Sequence, residues 1–277
     1  MIWSWVWTKR RAAALFCLAL AAAASSMLLL ARADASQSRD GAPPAPSARM
    51  EPKADETLRR MSKTLAGAKS VRFRAHDMVD QVMENGQKLQ FARTVTVVAR
   101  RPGSVTATVK GDAEDMQFAY QDAKITIINH RDRCYAAHDV PPTIDAMFDF
   151  LAERYGVTAP LADLLFSDPY DAMTGRVRSG QYLGLHAVMD ARCHHLAFRQ
   201  DGIDWQIWIE DSDRPVPRKV VITYKELPSQ PQFVALLDDW DISTDVPDSA
   251  FKLSAPAGYQ RIDLQPIGQP TTAPTGR

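Results

Sequence analysis

The sequence lacks the motifs that identify most enzymes and most nucleic-acid-binding proteins. It contains no Gly-x-Ser-x-Gly nucleophile motif, no His-Glu-x-x-His zinc motif, no Walker loop and no dinucleotide-binding glycine pattern. Lysine and arginine together number 33, aspartate and glutamate also number 33, and the basic residues form no stripe. We therefore expect no enzymatic activity, no cofactor and no nucleic-acid ligand.

Long apolar runs are absent except for one near the N-terminus. The basic cluster 9–11 precedes the apolar run 12–30, and Ala31-Arg32-Ala33 places small residues at the two positions that a signal peptidase recognises. This order predicts a secretory signal peptide over residues 1–33 and a periplasmic protein. Alternatively, the 19-residue run is long enough to stay uncleaved as an inner-membrane anchor. The anchor would then be the protein's only contact with the membrane.

The two ends of the exported chain have compositions typical of disorder. Residues 34–53 are rich in Ala, Pro and Ser, and residues 265–277 are rich in Pro, Thr and Gly. Neither segment can bury enough apolar surface to offset its ordering entropy, so we predict a disordered linker and a disordered tail. Without residues 1–33, which hold four basic and no acidic residues, the chain has 29 basic and 33 acidic residues and a net charge of −4. Residues 54–264 suit one domain with a substantial core.

Cysteine is scarce, with three residues in 277, and Cys17 lies in the predicted signal peptide. In an oxidising compartment the remaining two, Cys134 and Cys193, predict one disulfide bond. The alternative is two separate buried thiols, because free cysteine packs like a small apolar residue. A metal site that combines them with His138 and His195 is disfavoured, since four residues along a strand span about 13 Å. We predict no metal site.

Alternation with a period of two dominates the domain and predicts antiparallel strands. Val71, Phe73 and Ala75 alternate with polar residues, the segment Ile203 to Glu210 alternates throughout, and Asn85-Gly86 is a strong hairpin signal. Turn residues divide the chain into six such strands before residue 140 and five after residue 180.

Helical periodicity appears before the first strand and between the two groups of strands. Residues Ile144 to Tyr155 carry an apolar stripe, with Thr143 as a suitable N-cap and Gly156 as a suitable stop. A twisted sheet of about eleven strands tends to curl, and only the helices are available to cover its apolar face. The predicted fold is α+β: a curved antiparallel β half-barrel with helices covering the concave face.

Several segments resemble a family of predicted periplasmic proteins, domain of unknown function 2092. They are Cys193-His-His-Leu-Ala-Phe-Arg-Gln-Asp-Gly-Ile-Asp-Trp-Gln-Ile-Trp-Ile-Glu210, Pro217-Arg-Lys-Val-Val-Ile-Thr-Tyr224, His138-Asp-Val-Pro-Pro-Thr-Ile-Asp145 and Leu161-Ala-Asp-Leu-Leu-Phe-Ser-Asp-Pro169. The likeness extends from about residue 54 to 263. The family is similar in turn to the lipoprotein-carrier superfamily that includes LolA and LolB. This resemblance implies an eleven-stranded half-barrel with a helical lid and a hydrophobic cavity for acyl chains.

If the half-barrel encloses a ligand cavity, apolar residues of the sheet and of the lid would line it. The candidates are Phe73, Phe91, Val95, Met147, Phe148, Leu151, Trp205 and Ile207. Ordinary core packing is the alternative role for each of them. Arg93 interrupts an apolar strand face, where it would either meet an anionic head group at the cavity rim or pair with an acidic residue.

Two functions from different classes follow. The leading hypothesis is a periplasmic, non-enzymatic protein that binds or carries a lipid-like or lipoprotein-like apolar ligand in the half-barrel cavity. Burial of acyl chains would drive binding at about 0.8 kcal/mol per methylene. The alternative is an envelope interaction or assembly protein with a solid core and no ligand, which binds a protein partner through its loops or sheet edge.

Overall fold

The computed structural model describes residues 50–267, which form one twelve-stranded open sheet with helices on one face. The predicted signal peptide and Cys17 lie outside the described residues, as do most of the predicted linker and the last ten residues of the predicted tail. Among residues 50–267, no helix has both the length and the apolar character needed to cross a membrane.

The sheet consists of two meanders joined through their long inner strands. In chain order the strands are β1 (Ser70–Val82), β2 (Lys88–Arg100), β3 (Ser104–Gly111), β4 (Asp115–Gln121), β5 (Lys124–Asn129), β6 (Cys134–Asp139), β7 (Ser179–Val188), β8 (Ala191–Arg199), β9 (Ile203–Glu210), β10 (Pro217–Tyr224), β11 (Gln232–Asp241) and β12 (Gln260–Arg261). Their order in the sheet is β12-β6-β5-β4-β3-β2-β1-β11-β10-β9-β8-β7. All neighbouring strands are antiparallel except β12 and β6. The predicted architecture is confirmed, with one short strand added.

In the described residues, three α-helices and two 3-10 helices, at Ala162–Leu165 and Asp248–Phe251, lie outside the sheet. The α-helices are α1 (Pro52–Ala66), α2 (Ile144–Tyr155) and α3 (Pro169–Thr174). Helix α1 therefore begins two residues before the predicted start of the domain, with Pro at its first position, where the missing N–H costs nothing.

Helix α2 has the predicted bounds and the predicted caps. The Thr143 side chain accepts a hydrogen bond from the Ala146 N–H at 3.2 Å, which satisfies one of the free donors of the first turn. At the other end Gly156 adopts the left-handed conformation, with φ at 65°, which terminates the helix.

The main core lies between the helices and the face of the sheet that they cover, which we call the concave face. Leu58, Met61 and Leu65 of α1 and Met147 of α2 are fully or almost fully buried there, and Phe73 of β1 meets them from the sheet. Each large apolar side chain buried in this way contributes about 1.5–3 kcal/mol. On the opposite, convex face a smaller cluster contains Val188, Cys193, Trp208 and Val221.

The predicted disulfide bond between Cys134 and Cys193 is wrong, because Cys193 is a free thiol. Cys193 lies in the convex cluster, whereas Cys134 lies two residues from Ala136 of the main core, so the two side chains point to opposite faces. Eight strands separate β6 from β8 in the sheet. That is a path of about 43 Å along the sheet, while a disulfide needs Cα atoms within about 7 Å. Burial raises the pKa of the Cys193 thiol to about 11, so it is a poor nucleophile.

Candidate ligand-binding face

The part of the concave face formed by β2, β3 and β4 is the candidate site. Helix α1 packs over β7 and β9, and α2 lies near β6, so these strands lie between the two helices. Along one row of the sheet Val95 is opposite Val109, which is opposite Met116, and in the next row Ala107 is opposite Phe118. All five are only partly buried. This section of the half-barrel therefore keeps accessible apolar surface.

Helix α2 is fastened at both ends by polar contacts. At its start the Ile144 N–H donates to the Pro102 carbonyl at 2.9 Å, and the Tyr120 hydroxyl donates to the Pro141 carbonyl at 2.8 Å. At its end the Tyr155 hydroxyl lies 2.9 Å from His138 Nε2. Between these points Phe148 and Phe150 are only partly buried. Helix α2 is thus held at both ends, and apolar side chains in its middle keep exposed surface.

A charged group lies at one end of this apolar surface. Arg93 Nε donates to Asp77 Oδ2 at 3.2 Å, and Arg93 Nη1 donates to Glu114 Oε2 at 2.8 Å. The side chain of Asp77 is only 3% exposed. Of the two roles predicted for Arg93, pairing with acidic residues is the one that the structure shows.

Asp77 is the least satisfied member of this group. Its Oδ1 atom is buried and has no hydrogen-bond partner among the described residues. Burial raises the pKa of the Asp77 carboxyl to about 6, although Arg93 acts in the opposite direction. Burial lowers the pKa of Arg93, but the two carboxylates outweigh it and hold that pKa above its usual value.

The eight predicted cavity residues fall into two groups. Five are packed in the main core: Phe73, Met147, Leu151, Trp205 and Ile207. The other three, Phe91, Val95 and Phe148, keep exposed surface. A ligand therefore reaches the first group only if the helices move, whereas the second group is accessible in this conformation.

Two spaces in the described part bear on this division. A small cavity bounded by Met116, Ile127, Cys134 and Ile262 has a volume of about 10 Å³, room for a single water at most. A cleft of about 450 Å³ lies open to solvent, and Arg218 and Trp240 are among its lining residues. Arg218 is already paired with Glu210 at 2.7 Å, and the lining of the cleft includes several charged side chains. Neither space is a preformed acyl-chain pocket.

The residues considered for a metal are spread over both faces of the sheet. His138 contacts Tyr155 on the concave side, while His195 stacks on Trp208 with ring centroids 3.9 Å apart and lies 3.0 Å from His186 Nδ1. In residues 50–267 no group of three or more His, Cys, Asp or Glu side chains is arranged to hold a metal ion.

Comparison with known proteins gives one family match and several remote structural likenesses. LppX from Mycobacterium tuberculosis is 12% identical, with a TM-score of 0.46 over 71% of this chain and 100% of that chain. LprF from Mycobacterium bovis is 15% identical, with a TM-score of 0.45 over 72% and 98%. A LolA superfamily protein from Nitrosomonas europaea is 11% identical, with a TM-score of 0.37 over 72% and 97%. At these identities the likeness concerns the fold alone.

Sequence comparison shows the family, although a search of curated protein sequences gives no significant match. The model of the family described as "Predicted periplasmic protein (DUF2092)" matches residues 54–265, which include all twelve strands and all of the helices apart from the first two residues of α1. The chain therefore belongs to the DUF2092 family of predicted periplasmic proteins.

Proposed function

We propose that the protein is a non-enzymatic periplasmic protein that binds the apolar chains of a lipid-type ligand on the concave face. The observation that carries this proposal is the accessible apolar surface of Val95, Met116 and Phe118 on the concave face. Acyl chains laid on this surface would be removed from water at a gain of about 0.8 kcal/mol per methylene.

Binding requires α2 to act as a lid. Met147 and Leu151 of α2 are packed in the main core, so a ligand that reaches the core side of α2 must displace this helix. The C-terminal end of α2 suits such a movement, because Gly156 follows it and glycine accepts a wide range of backbone angles. Hydrogen bonds at the two ends of α2 and its buried apolar side chains, which include Met147 and Leu151, hold the helix closed.

A pair of neighbouring substitutions tests the proposal. Val95 and Thr96 are adjacent on β2 and point to opposite faces of the sheet, so Val95→Glu places a charge on the binding face and Thr96→Glu places it on the convex face. Binding of a monoacylglycerol with a pyrene-labelled chain should fall at least tenfold in Val95→Glu, because an unpaired charge is costly in an apolar site. Thr96→Glu should bind within about twofold of the wild type. Equal binding by both variants, or no binding by the wild type, contradicts the proposal.

A second function is favoured by a different observation. The exposed large apolar side chains of the described residues are Leu183, Leu185 and Met189, all on or just after β7, which is an edge of the sheet. An edge strand with exposed apolar side chains suits the docking of a protein partner. Photo-crosslinking from position 185 in intact cells tests this function against a probe at position 96. Specific adducts from 185 alone would support an envelope interaction protein.

A further inference from the structure

We propose that Asp77, Arg93 and Glu114 form a head-group subsite that accepts a neutral, hydrogen-bonding head group and rejects a phosphate. This inference rests on the proposed function, since it assigns the polar end of the same lipid site. The chemical class that fits is a head group with a hydroxyl or amide donor next to a carbonyl acceptor, as in an acylglycerol.

The position of the subsite follows from the register of the sheet. Asp77 is opposite Arg93 in the β1–β2 pair, and both point to the concave face, because Ala75 and Val95 lie two residues away on the same strands. Two residues along a strand span about 6.7 Å. The charged group therefore adjoins the accessible apolar surface at Val95, at the distance that separates a lipid head group from the start of its chains.

The unused hydrogen-bonding capacity of the subsite defines what it can take. Asp77 Oδ1 is a buried acceptor without a partner among the described residues. The two hydrogen bonds that Arg93 donates to carboxylates come from Nε and Nη1, which leaves Nη2 as a further donor. Buried polar atoms are nearly always satisfied in native proteins, so an orphan on a candidate binding face points to a ligand atom. A ligand that fills both places must present one donor and one acceptor close together.

The charge of the subsite selects against anions. Two carboxylates surround one guanidinium, so the ionised group carries a net charge of −1, and both charged contacts of Arg93 are already made to carboxylates. A phosphate bound here would have to approach Asp77 and Glu114 without an unpaired cation to offset the repulsion. A hydroxyl donates to Asp77 Oδ1 without this penalty, and a carbonyl accepts from Arg93 Nη2.

Two ligands that carry the same acyl chain and differ only in the head group show what the head group contributes to affinity. The protein is purified from a bacterial periplasm and freed of lipid, and a pyrene-labelled monoacylglycerol probe is displaced either by monooleoylglycerol or by monooleoyl phosphatidic acid. We expect the wild type to bind the glycerol ester at least tenfold more tightly. Asp77→Asn removes one negative charge at nearly constant shape and should bring the two affinities within about threefold.

The matched control is Asp80→Asn, the same change three residues along β1. Asp80 is buried but belongs to the convex face, where Gln90, Lys88 and the Gln232 N–H satisfy it. This variant should keep the wild-type preference. Circular dichroism reports whether each variant folds. If Asp77→Asn does not fold, Glu114→Gln, at a position where the side chain is 22% exposed, should reduce the preference in its place.

The outcomes separate this inference from the proposed function. A wild type that binds both ligands equally, or prefers the phosphate, overturns the subsite while leaving lipid binding intact. A folded Asp77→Asn variant with an unchanged preference also overturns the subsite. If the wild type does not bind the probe at all, the proposed function is overturned, and the subsite is overturned with it.

Discussion

Replacing Asp77 by asparagine should stabilise the folded protein at pH 8 and give no such advantage at pH 4. Burial raises the pKa of Asp77 from 3.8 to about 6, even with Arg93 beside it. The folded environment therefore disfavours the ionised carboxyl by about 3 kcal/mol relative to the unfolded chain. Asparagine keeps the shape of the side chain and cannot ionise, so it avoids this cost.

The direction of the pH dependence follows from proton binding. Between pH 4 and pH 6 the folded state holds the Asp77 proton more tightly than the unfolded state. The stabilisation from Asp77 is thus fully present below pH 4 and is lost as the pH rises through about 6. The free energy of unfolding of Asp77→Asn, minus that of the wild type, should grow from near zero at pH 4 to as much as about 3 kcal/mol at pH 8.

Urea denaturation of the lipid-free protein across this pH range measures the difference, and Asp80→Asn supplies a control of opposite sign. Burial raises the pKa of Asp80, but its hydrogen bonds from Gln232, Gln90 and Lys88 outweigh this and hold the pKa below its usual value. Its ionised form is therefore stabilising, and Asp80→Asn should destabilise the protein at pH 8. An effect of Asp77→Asn that is independent of pH, or a loss of stability at pH 8, would refute the reasoning.

Three further predictions concern the lid, the free thiol and a close approach between β2 and β3. Thr143→Ala removes the N-cap of α2 and should destabilise the helix by about 1 kcal/mol. Amide hydrogen exchange should then become faster in α2 and stay unchanged in β1, whereas unchanged exchange in α2 would argue against a lid that opens readily. Cys193 should resist alkylation in the native protein at pH 8 and react on unfolding, because its thiol is buried with a pKa of about 11; rapid native labelling would contradict this placement. Gly111→Ala should lower the free energy of unfolding by about 2 kcal/mol or more, because the added Cβ would lie 2.5 Å from the Ala92 carbonyl oxygen; an unchanged Tm would show that β2 and β3 can separate at this point without cost.

Local elements are predictable from the sequence where periodicity and end signals agree. Helix α2 has its apolar stripe, a threonine N-cap and a glycine stop within 14 residues, and its bounds are as predicted. Strand β9 alternates throughout and also has its predicted bounds. In both cases the information lies within the element itself, so no distant contact has to be known.

The candidate site depends on register, which the sequence specifies less well. A two-residue turn at Asn85-Gly86 would place Asp77 opposite Thr94, on the other face from Arg93. The loop in fact comprises residues 83–87, and this places Asp77 opposite Arg93. A shift of one residue in the pairing of β1 with β2 thus decides whether Asp77 lies opposite Arg93 or opposite Thr94.

The cysteine pair shows the same dependence on long-range order. Strand parity relates side chains within one strand, but it does not say which face of the sheet a distant strand presents, nor how many strands lie between. Because β1 pairs with β11, the two meanders form the two halves of one sheet, and Cys134 and Cys193 lie near its opposite edges. No local signal in either strand indicates this pairing.

Native mass spectrometry of the protein, purified gently from a bacterial periplasm, shows directly whether the concave face holds a lipid. We expect a discrete added mass of several hundred daltons that is lost on activation and is absent from Val95→Glu but present in Thr96→Glu. We further expect that the released molecule is a neutral, acyl-bearing amphiphile. A wild-type protein that carries no added mass and also takes up no monoacylglycerol when it is supplied would contradict the claim that the concave face is a lipid-binding site.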